Sequence, residues 1–216
     1  IPIIVGGTGF YINALVYDND FTEESGEGIR EELYEIAEKE GPEKLHKMLS
    51  EVDPEYASEI HFNNVKRVAR ALEYYRLTGE KMSDHNREAK QKESPYNLAF
   101  FVLNMDRQKL YDRIDLRVDI MMQNGLEAEV RNLINMGYSP DLVSMQGLGY
   151  KEFIPYFNGE ITLEKAVEDI KKYTRHFAKR QLTWFRRQTE GTWIDMTSGD
   201  KQKALETMIN ELKDKN

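Results

Sequence analysis

The chain has 216 residues, 40% of them hydrophobic, no cysteine and a formal net charge of -8. That length and apolar content suit one or two domains with a real core, while the missing cysteine excludes disulfides and thiolate metal sites and is compatible with a reducing cytoplasm. The acidic balance excludes a protein that coats nucleic acid by bulk charge, no apolar run approaches the ~20 residues of a membrane helix, and no signal peptide opens the chain.

Residues 1–5 read IPIIV, a continuous β-branched run that predicts a buried parallel strand, followed by GGTG and the helical pattern FYINALV. A strand buried on both faces needs neighbours, and few other strand candidates follow, so the expectation is a fold whose core begins upstream of Ile1. Gly6, Gly7 and Gly9 flank Thr8. At the carboxyl end of a parallel strand such a turn can cradle an anion with its amides, or it can be a tight turn that needs positive φ.

From residue 22 to residue 95 the chain is highly charged and helical in pattern, which predicts an inserted helical domain. Ile29, Leu33 and Ile36 form one apolar face, and Leu45, Met48, Leu49 and Val52 form a second, before Asp53 and Pro54 introduce a turn. Arg30 lies among Glu27, Glu31 and Glu32, where an ordinary ion pair is the simplest local reading. A third helix follows Asn63 and Asn64, with Val65, Val68, Leu72 and Tyr75 as its buried stripe and Lys66, Arg67 and Arg70 crowding its first turns. Cations there oppose the helix dipole, so they mark either a ligand site or a solvated face. Gly79 ends that helix, and residues 81–94 read as a polar, mobile connection.

Residues 96–105, YNLAFFVLNM, predict a strand returning to the α/β core, and Asp106 caps a long helix. On that helix Arg113 and Arg117 line one flank of an apolar stripe, and Asp112, Asp115 and Asp119 are placed to neutralise them. Another amphipathic helix follows Gly125, and MQGLGYKEF supplies a glycine-bearing turn. Residues 171–188 are basic and aromatic. Arg175, Lys179, Thr183 and Arg186 share one stripe, with His176, Arg180 and Arg187 beside it, while Phe177, Ala178, Trp184 and Phe185 face the other way. The alternatives are an anion-binding helix docked by its aromatics and a salt-bridged surface helix. TWIDMT predicts a last short strand and residues 200–213 a terminal helix. His46, His61, His85 and His176 lack metal-ligand spacing, so no protein metal site is assigned. No GxSxG elbow and no GxxxxGK[ST] loop occurs.

Taken together, IPIIVGGTGFYINAL, HFNNVKRVARALE, LYDRIDLRVD, QGLGYKE and TRHFAKRQLTWFRRQ resemble the tRNA dimethylallyltransferase (tRNA isopentenyltransferase) family, in the family's order along the chain. The resemblance implies an α/β fold with a P-loop nucleotide-kinase-like core, incomplete here because the family's phosphate loop and catalytic aspartate would lie upstream of Ile1. The core would comprise residues 1–21 and 96–216, and residues 22–95 would grip the anticodon stem-loop. The implied reaction passes the dimethylallyl group of dimethylallyl diphosphate to the exocyclic amine of the adenosine 3′ of the anticodon, with Mg2+ assistance, in a cytoplasmic monomer. By the same resemblance Arg117 is placed near the diphosphate. The implied tRNA contacts are Thr8 and Arg30, then Lys66, Arg67, Val68, Ala69 and Arg70. They continue with Gln146, Gly147, Leu148, Gly149, Tyr150 and Lys151, and with Arg175, Lys179, Arg180 and Arg186. The 216 residues alone are expected to lack transferase activity. An RNA-gripping module without chemistry and a small-molecule phosphotransferase are the competing readings.

Overall fold

A computed structural model describes residues 2–17 and 28–214. The expected domain boundary at residues 21 and 22 and the acid Glu27 lie outside the described residues. The chain forms two compact units, one of residues 13–96 and one of residues 1–12 with 97–216.

Helix α1, Gly9–Val16, begins in the second of these units and ends in the first. The helical unit then contains α2 (Ile29–Glu40), α3 (Pro42–Val52), α4 (Pro54–Glu59), α5 (Val65–Thr78) and α6 (Met82–Gln91). Leu33, Leu45, Leu49 and Val68 are fully buried at its centre, closed by Ala69, Ala71, Leu72 and Met82. Local chemistry sets the breaks: Gly41 at φ 93° separates α2 from α3, and Pro42 opens α3 at a position where its missing N–H costs nothing. Gly79, left-handed at φ 75°, ends α5. The inward tyrosine of α5 is Tyr74, not the expected Tyr75.

Asp53 joins these helices. It is 1% exposed, its Oδ1 accepts the amide of Tyr56 as the N-cap of α4, and its Oδ2 accepts the amide of Ser83 in the first turn of α6. This bond corrects the expectation of a mobile connection at residues 81–94. Residues 82–91 are helical because Asp53 satisfies an orphan amide at their start, Met82 enters the core, and Arg87 pairs with Glu55 and Asp84. The short α4, absent from the sequence expectation, depends on the same carboxylate. His46 bonds through Nε2 to the carbonyls of Ala57 and Ile60 at the end of α4.

In the other unit, strands β1 (Phe101–Asn104) and β2 (Thr192–Asp195) pair in parallel, with Phe101 opposite Thr192 and Asn104 opposite Asp195. A Cβ on Gly191 would lie 2.4 Å from the Phe100 ring and 2.9 Å from its carbonyl oxygen, so only glycine lets β2 approach here. Between the strands lie α7 (Arg107–Gln123), α8 (Leu126–Asn135), a 3-10 turn (Lys151–Phe153), α9 (Ile154–Phe157) and the 26-residue α10 (Leu163–Gln188). Helix α11, Lys201–Asp214, follows β2. Asp106 caps α7 by accepting the amides of Gln108 and Lys109, and Thr162 caps α10. The core joins Val118 of α7, Val130 of α8, Phe153, and Ala166 and Ile170 of α10.

The expectation for residues 1–5 is corrected. Residues 2–5 are in no strand, and Ile3 and Val5 are 85% and 91% exposed. Apolar β-branched sequence favours a strand, but a strand exists only where another supplies its hydrogen bonds, and among the described residues β1 and β2 pair only with each other. The reason for the glycines is also different from positive φ. A Cβ on Gly7 would meet the Gln181 amide nitrogen at 2.4 Å, and one on Gly9 would meet the Trp184 ring at 2.2 Å. The Gln181 Nε2 donates to the Gly7 carbonyl at 2.8 Å. At Gly9 close approach to the Trp184 ring, and not positive φ, demands glycine, whereas at Gly7 the contact is with the flexible end of Gln181, which can move aside.

Two outcomes follow. Gly9→Ala forces an indole to move, so it should destabilise this unit by about 1–3 kcal/mol, as core overpacking does, read as a lower midpoint in urea unfolding. For Asp53, burial raises the carboxyl pKa, but the Tyr56 and Ser83 amides, the Ser83 hydroxyl and the charge of Lys81 outweigh it, and the net pKa lies below the ordinary value. A depressed carboxylate contributes stability that is full above its unfolded pKa of about 3.9 and is lost as pH falls through the lower folded value. Asp53→Ala, by losing a cap and orphaning an amide, should cost about 2–3 kcal/mol at neutral pH. Urea titrations from pH 7 to 2 should show that loss shrinking toward the acid end.

Candidate functional site

The cations of the chain divide into those that meet a carboxylate and those that do not. In the helical unit, Arg30 is held by a partner far off in sequence: its Nε and Nη2 donate to Glu73 Oε2 at 3.0 and 2.6 Å, tying α2 to α5, and the Glu73 side chain is 8% exposed. Arg76 of α5 pairs with Glu32 of α2 beside it. Lys66, Arg67 and Arg70, by contrast, are exposed on the first turns of α5, and no ion pair among the described residues engages them. Asn64 precedes them without a side-chain cap bond. Val68 and Ala69, expected with them at the tRNA, are both 0% exposed. Helical spacing turns their side chains into the core, so this part of the expectation is corrected.

In the α/β unit, the three aspartates of α7 that could have neutralised Arg113 and Arg117 are directed elsewhere. Asp115 accepts from Arg175 Nη1 at 2.5 Å, Asp119 lies 2.6 Å from Lys171 Nζ, and Asp112 accepts from the Gln108 amide. Arg113 reaches the Met105 sulfur at 3.8 Å, and Arg117 is exposed with no ion pair among the described residues. Internal neutralisation, the bland reading of this arginine pair, is therefore not what the fold does.

Helix α10 carries both alternatives at once. Its first basic residues, Lys171 and Arg175, are bridged to α7, so Arg175 is an interhelical residue as well as an expected RNA contact. Lys179, Arg180, Arg186 and Arg187 are exposed and meet no carboxylate among the described residues. Arg180 lies over the Phe177 ring at 5.9 Å, and Arg186 over Trp193 at 5.6 Å. Phe185 is buried against Phe100 and Trp184, as expected for a docking aromatic, and Trp184 covers Gly9. Phe177 departs from that expectation: at 43% exposure it is not a core residue. It lies at the border of the apolar face, a position that a helical wheel alone cannot assign.

The turn at residues 146–151 is built by its own side chains. Gln146 donates to the Pro140 carbonyl, and Gly149, at φ 97°, gives its amide to the buried carboxylate of Glu152. The Tyr150 hydroxyl donates to Glu129, which raises the tyrosine pKa together with burial and the same negative charge. Leu148 and Lys151 remain at the surface. Thr8 is exposed, and its carbonyl accepts the amide of Ile12 in the first turn of α1.

Gln181 is a residue that sequence reasoning missed. Its signal was present in the pairing of two glycines with a polar residue inside an otherwise cationic helix, but only coordinates connect positions 174 residues apart. Among the described residues no three acidic or histidine side chains converge as a metal site, and no helix is long and apolar enough to cross a membrane. A groove of about 410 Å³ at the start of α10, lined by Met122, Leu163 and Val167 and by the acids Asp119, Glu164 and Glu168, contains none of the expected site residues.

The chain is 52% identical over 217 residues to a tRNA dimethylallyltransferase of Lachnoclostridium phytofermentans, covering 100% of this chain and 69% of that protein. It is 51% identical over 206 residues to one of Bacillus cereus, covering 95% of this chain and 64% of the relative. The chain thus spans about two thirds of these relatives. Among solved structures, the full-length tRNA isopentenylpyrophosphate transferase of Bacillus halodurans superposes with a TM-score of 0.64 at 42% identity, over 98% of this chain and 65% of that one. A eukaryotic dimethylallyltransferase acting on tRNA gives 0.74 at 29% identity, over 93% and 52%. The helix-rich architecture with a small parallel sheet is that of these enzymes, whose core is P-loop-like. The family model for IPP transferase matches residues 1–188, and on that match, with these relatives, the chain belongs to the IPP transferase family.

Proposed function

We propose that the protein transfers a dimethylallyl group from dimethylallyl diphosphate to the exocyclic amine of the adenosine 3′ of a tRNA anticodon. One observation carries the assignment to these residues. The cations that the family resemblance directs at RNA or diphosphate, Lys66, Arg67, Arg70, Lys179, Arg180, Arg186 and Arg117, meet no carboxylate among the described residues, while nearby aspartates and glutamates bond elsewhere. A salt-bridged surface would have used them. Thr8, Gln146, Gly147, Leu148, Gly149, Tyr150, Lys151 and Arg175 complete the proposed RNA contacts, together with Arg30, which Glu73 holds in the helical unit.

The chemistry follows from the bonds exchanged. The adenine nitrogen forms a bond to C1 of the dimethylallyl group, the C1–O bond breaks, diphosphate leaves with the electron pair, and a proton is lost from the amine. An allylic diphosphate ionises readily once its departing charge is stabilised, so a guanidinium at the leaving group acts on the rate itself. Arg117 is the group we assign to that task. The basic stripes of α5 and α10 hold the RNA backbone and fix its register, and the target base must leave its stack, at a cost of a few kcal/mol. We place the Mg2+ ion with the substrate diphosphate, because that ion is usually held by one or two carboxylates together with substrate phosphates. The proposed setting is a cytoplasmic monomer.

In the full-length protein, Arg117→Ala should lower the single-turnover rate of prenyl transfer on the order of 100-fold while changing stem-loop affinity by about twofold or less. Equal losses in both would make Arg117 an RNA anchor. Binding of an anticodon stem-loop should weaken linearly in log–log plots against salt, and Lys66→Ala or Arg70→Ala should each flatten the slope by about one. A slope near zero in the unsubstituted protein would overturn the RNA reading in favour of a small-molecule phosphotransferase.

A further inference from the structure

Residues 170–189 contain seven lysines and arginines and no aspartate or glutamate. Within this stretch two aromatic rings, Tyr173 and Phe177, stand one helical turn apart and are 40% and 43% exposed. Neither belongs to the core cluster of this unit, and a cation lies over one face of each: Lys172 Nζ is 5.5 Å from the Tyr173 centroid and the Arg180 guanidinium 5.9 Å from that of Phe177. His176 meets Tyr173 edge-on at 6.3 Å. At 100° per residue, Tyr173, Phe177, Arg180 and Trp184 fall within roughly 60° of one another, between the core face and the fully cationic face. Trp184, at the end of this stripe, lies against Gly9 of the glycine turn, and Gln181 bonds to Gly7 beside it.

Exposed apolar rings bordering a purely cationic surface are an arrangement that single-stranded RNA can use fully. Phosphates take the cations, and unstacked bases take the ring faces, which accept any base because each has a π surface. A protein partner of ordinary composition would leave several cations on this face without opposite charge, whereas a polyanion with planar side groups satisfies both halves of the stripe. We infer that Tyr173 and Phe177 form a stacking platform for unpaired bases of the RNA, running along α10 from the glycine turn, with Arg180 ordering the Phe177 ring and contacting the strand. This inference rests on the RNA reading above and adds to it the residues that receive bases after they leave the stem-loop stack. It also assigns a role to Phe177 that the apolar pattern of the helix had hidden.

The test uses an anticodon stem-loop RNA with 2-aminopurine next to the target adenosine. With the unsubstituted protein, binding should be salt-dependent and should quench the 2-aminopurine. Phe177→Ala and Tyr173→Ala should each weaken binding about 30-fold, the middle of the range for loss of one base–aromatic stack, and reduce the quench, with the salt slope unchanged. Phe177→Trp should restore both. Because the rings are exposed, these variants should unfold at the parent's urea midpoint. Phe177→Leu separates stacking from simple apolar contact: affinity and quench equal to the parent would overturn the platform, as would an unaltered affinity in both alanine variants. A parent dimer that Phe177→Ala dissociates would assign the rings to a self-interface and overturn it likewise. Absence of salt-dependent binding by the unsubstituted protein would overturn the RNA reading itself, an outcome distinct from these.

Discussion

The antiparallel seam between α7 and α10 governs how charge is distributed in the α/β unit. Asp115 meets Arg175 and, one turn along in opposite directions, Asp119 meets Lys171. Each pair is partly exposed and contributes up to about 1 kcal/mol, so the adhesion comes from Val118, Val130, Phe153, Ala166 and Ile170 behind them. What the pairs determine is register. With both aspartates turned to α10 and Asp112 accepting from Gln108, Arg113 and Arg117 form no ion pair among the described residues, and the later cations of α10 lie beyond the Asp115–Arg175 pair, toward the start of α7. The surface that is left is cationic because its neighbours have already chosen partners.

A second constraint is steric. Gly9 lies against Trp184 so closely that a methyl group there would collide with the ring, and Gly7 is held beside it by the Gln181 side chain. The glycine turn is thereby positioned by α10, and the half of the helix that carries unpaired cations is the half that carries these contacts. A conformational argument from positive φ would have given the same residue type for the wrong reason; the distinction matters because packing ties the turn to a specific partner, while a backbone preference ties it to nothing.

The helical unit is organised around a buried anion. Asp53 gives one oxygen to the start of α4 and the other to the start of α6, converting two short, polar segments into ordered helices around Leu45, Leu49 and Val68. Glu73 does comparable work between α2 and α5 through Arg30. Both acids hold structure from the inside, which leaves Lys66, Arg67 and Arg70 outside with no ion pair among the described residues. In both units, then, acids directed into tertiary contacts are the reason these cations remain exposed without an ion pair among the described residues.

Much of this was legible in the chain itself. Helical periodicity found α2, α3, α5, α7, α8 and α10, because apolar residues at three- and four-residue spacing need a common core, and Asp106, Gly79 and Pro42 marked their ends through backbone chemistry that acts within a few residues. The motif blocks pointed to the family. What spacing could not decide was pairing between distant residues: whether residues 2–5 find a strand partner, whether residues 82–91 gain a cap from Asp53, which cations Asp115 and Asp119 select, and whether Phe177 is covered. Periodicity reports which way a side chain points from its own helix axis. Only the tertiary structure places a second element there, and with it decides whether that side chain is core, ion pair or open surface.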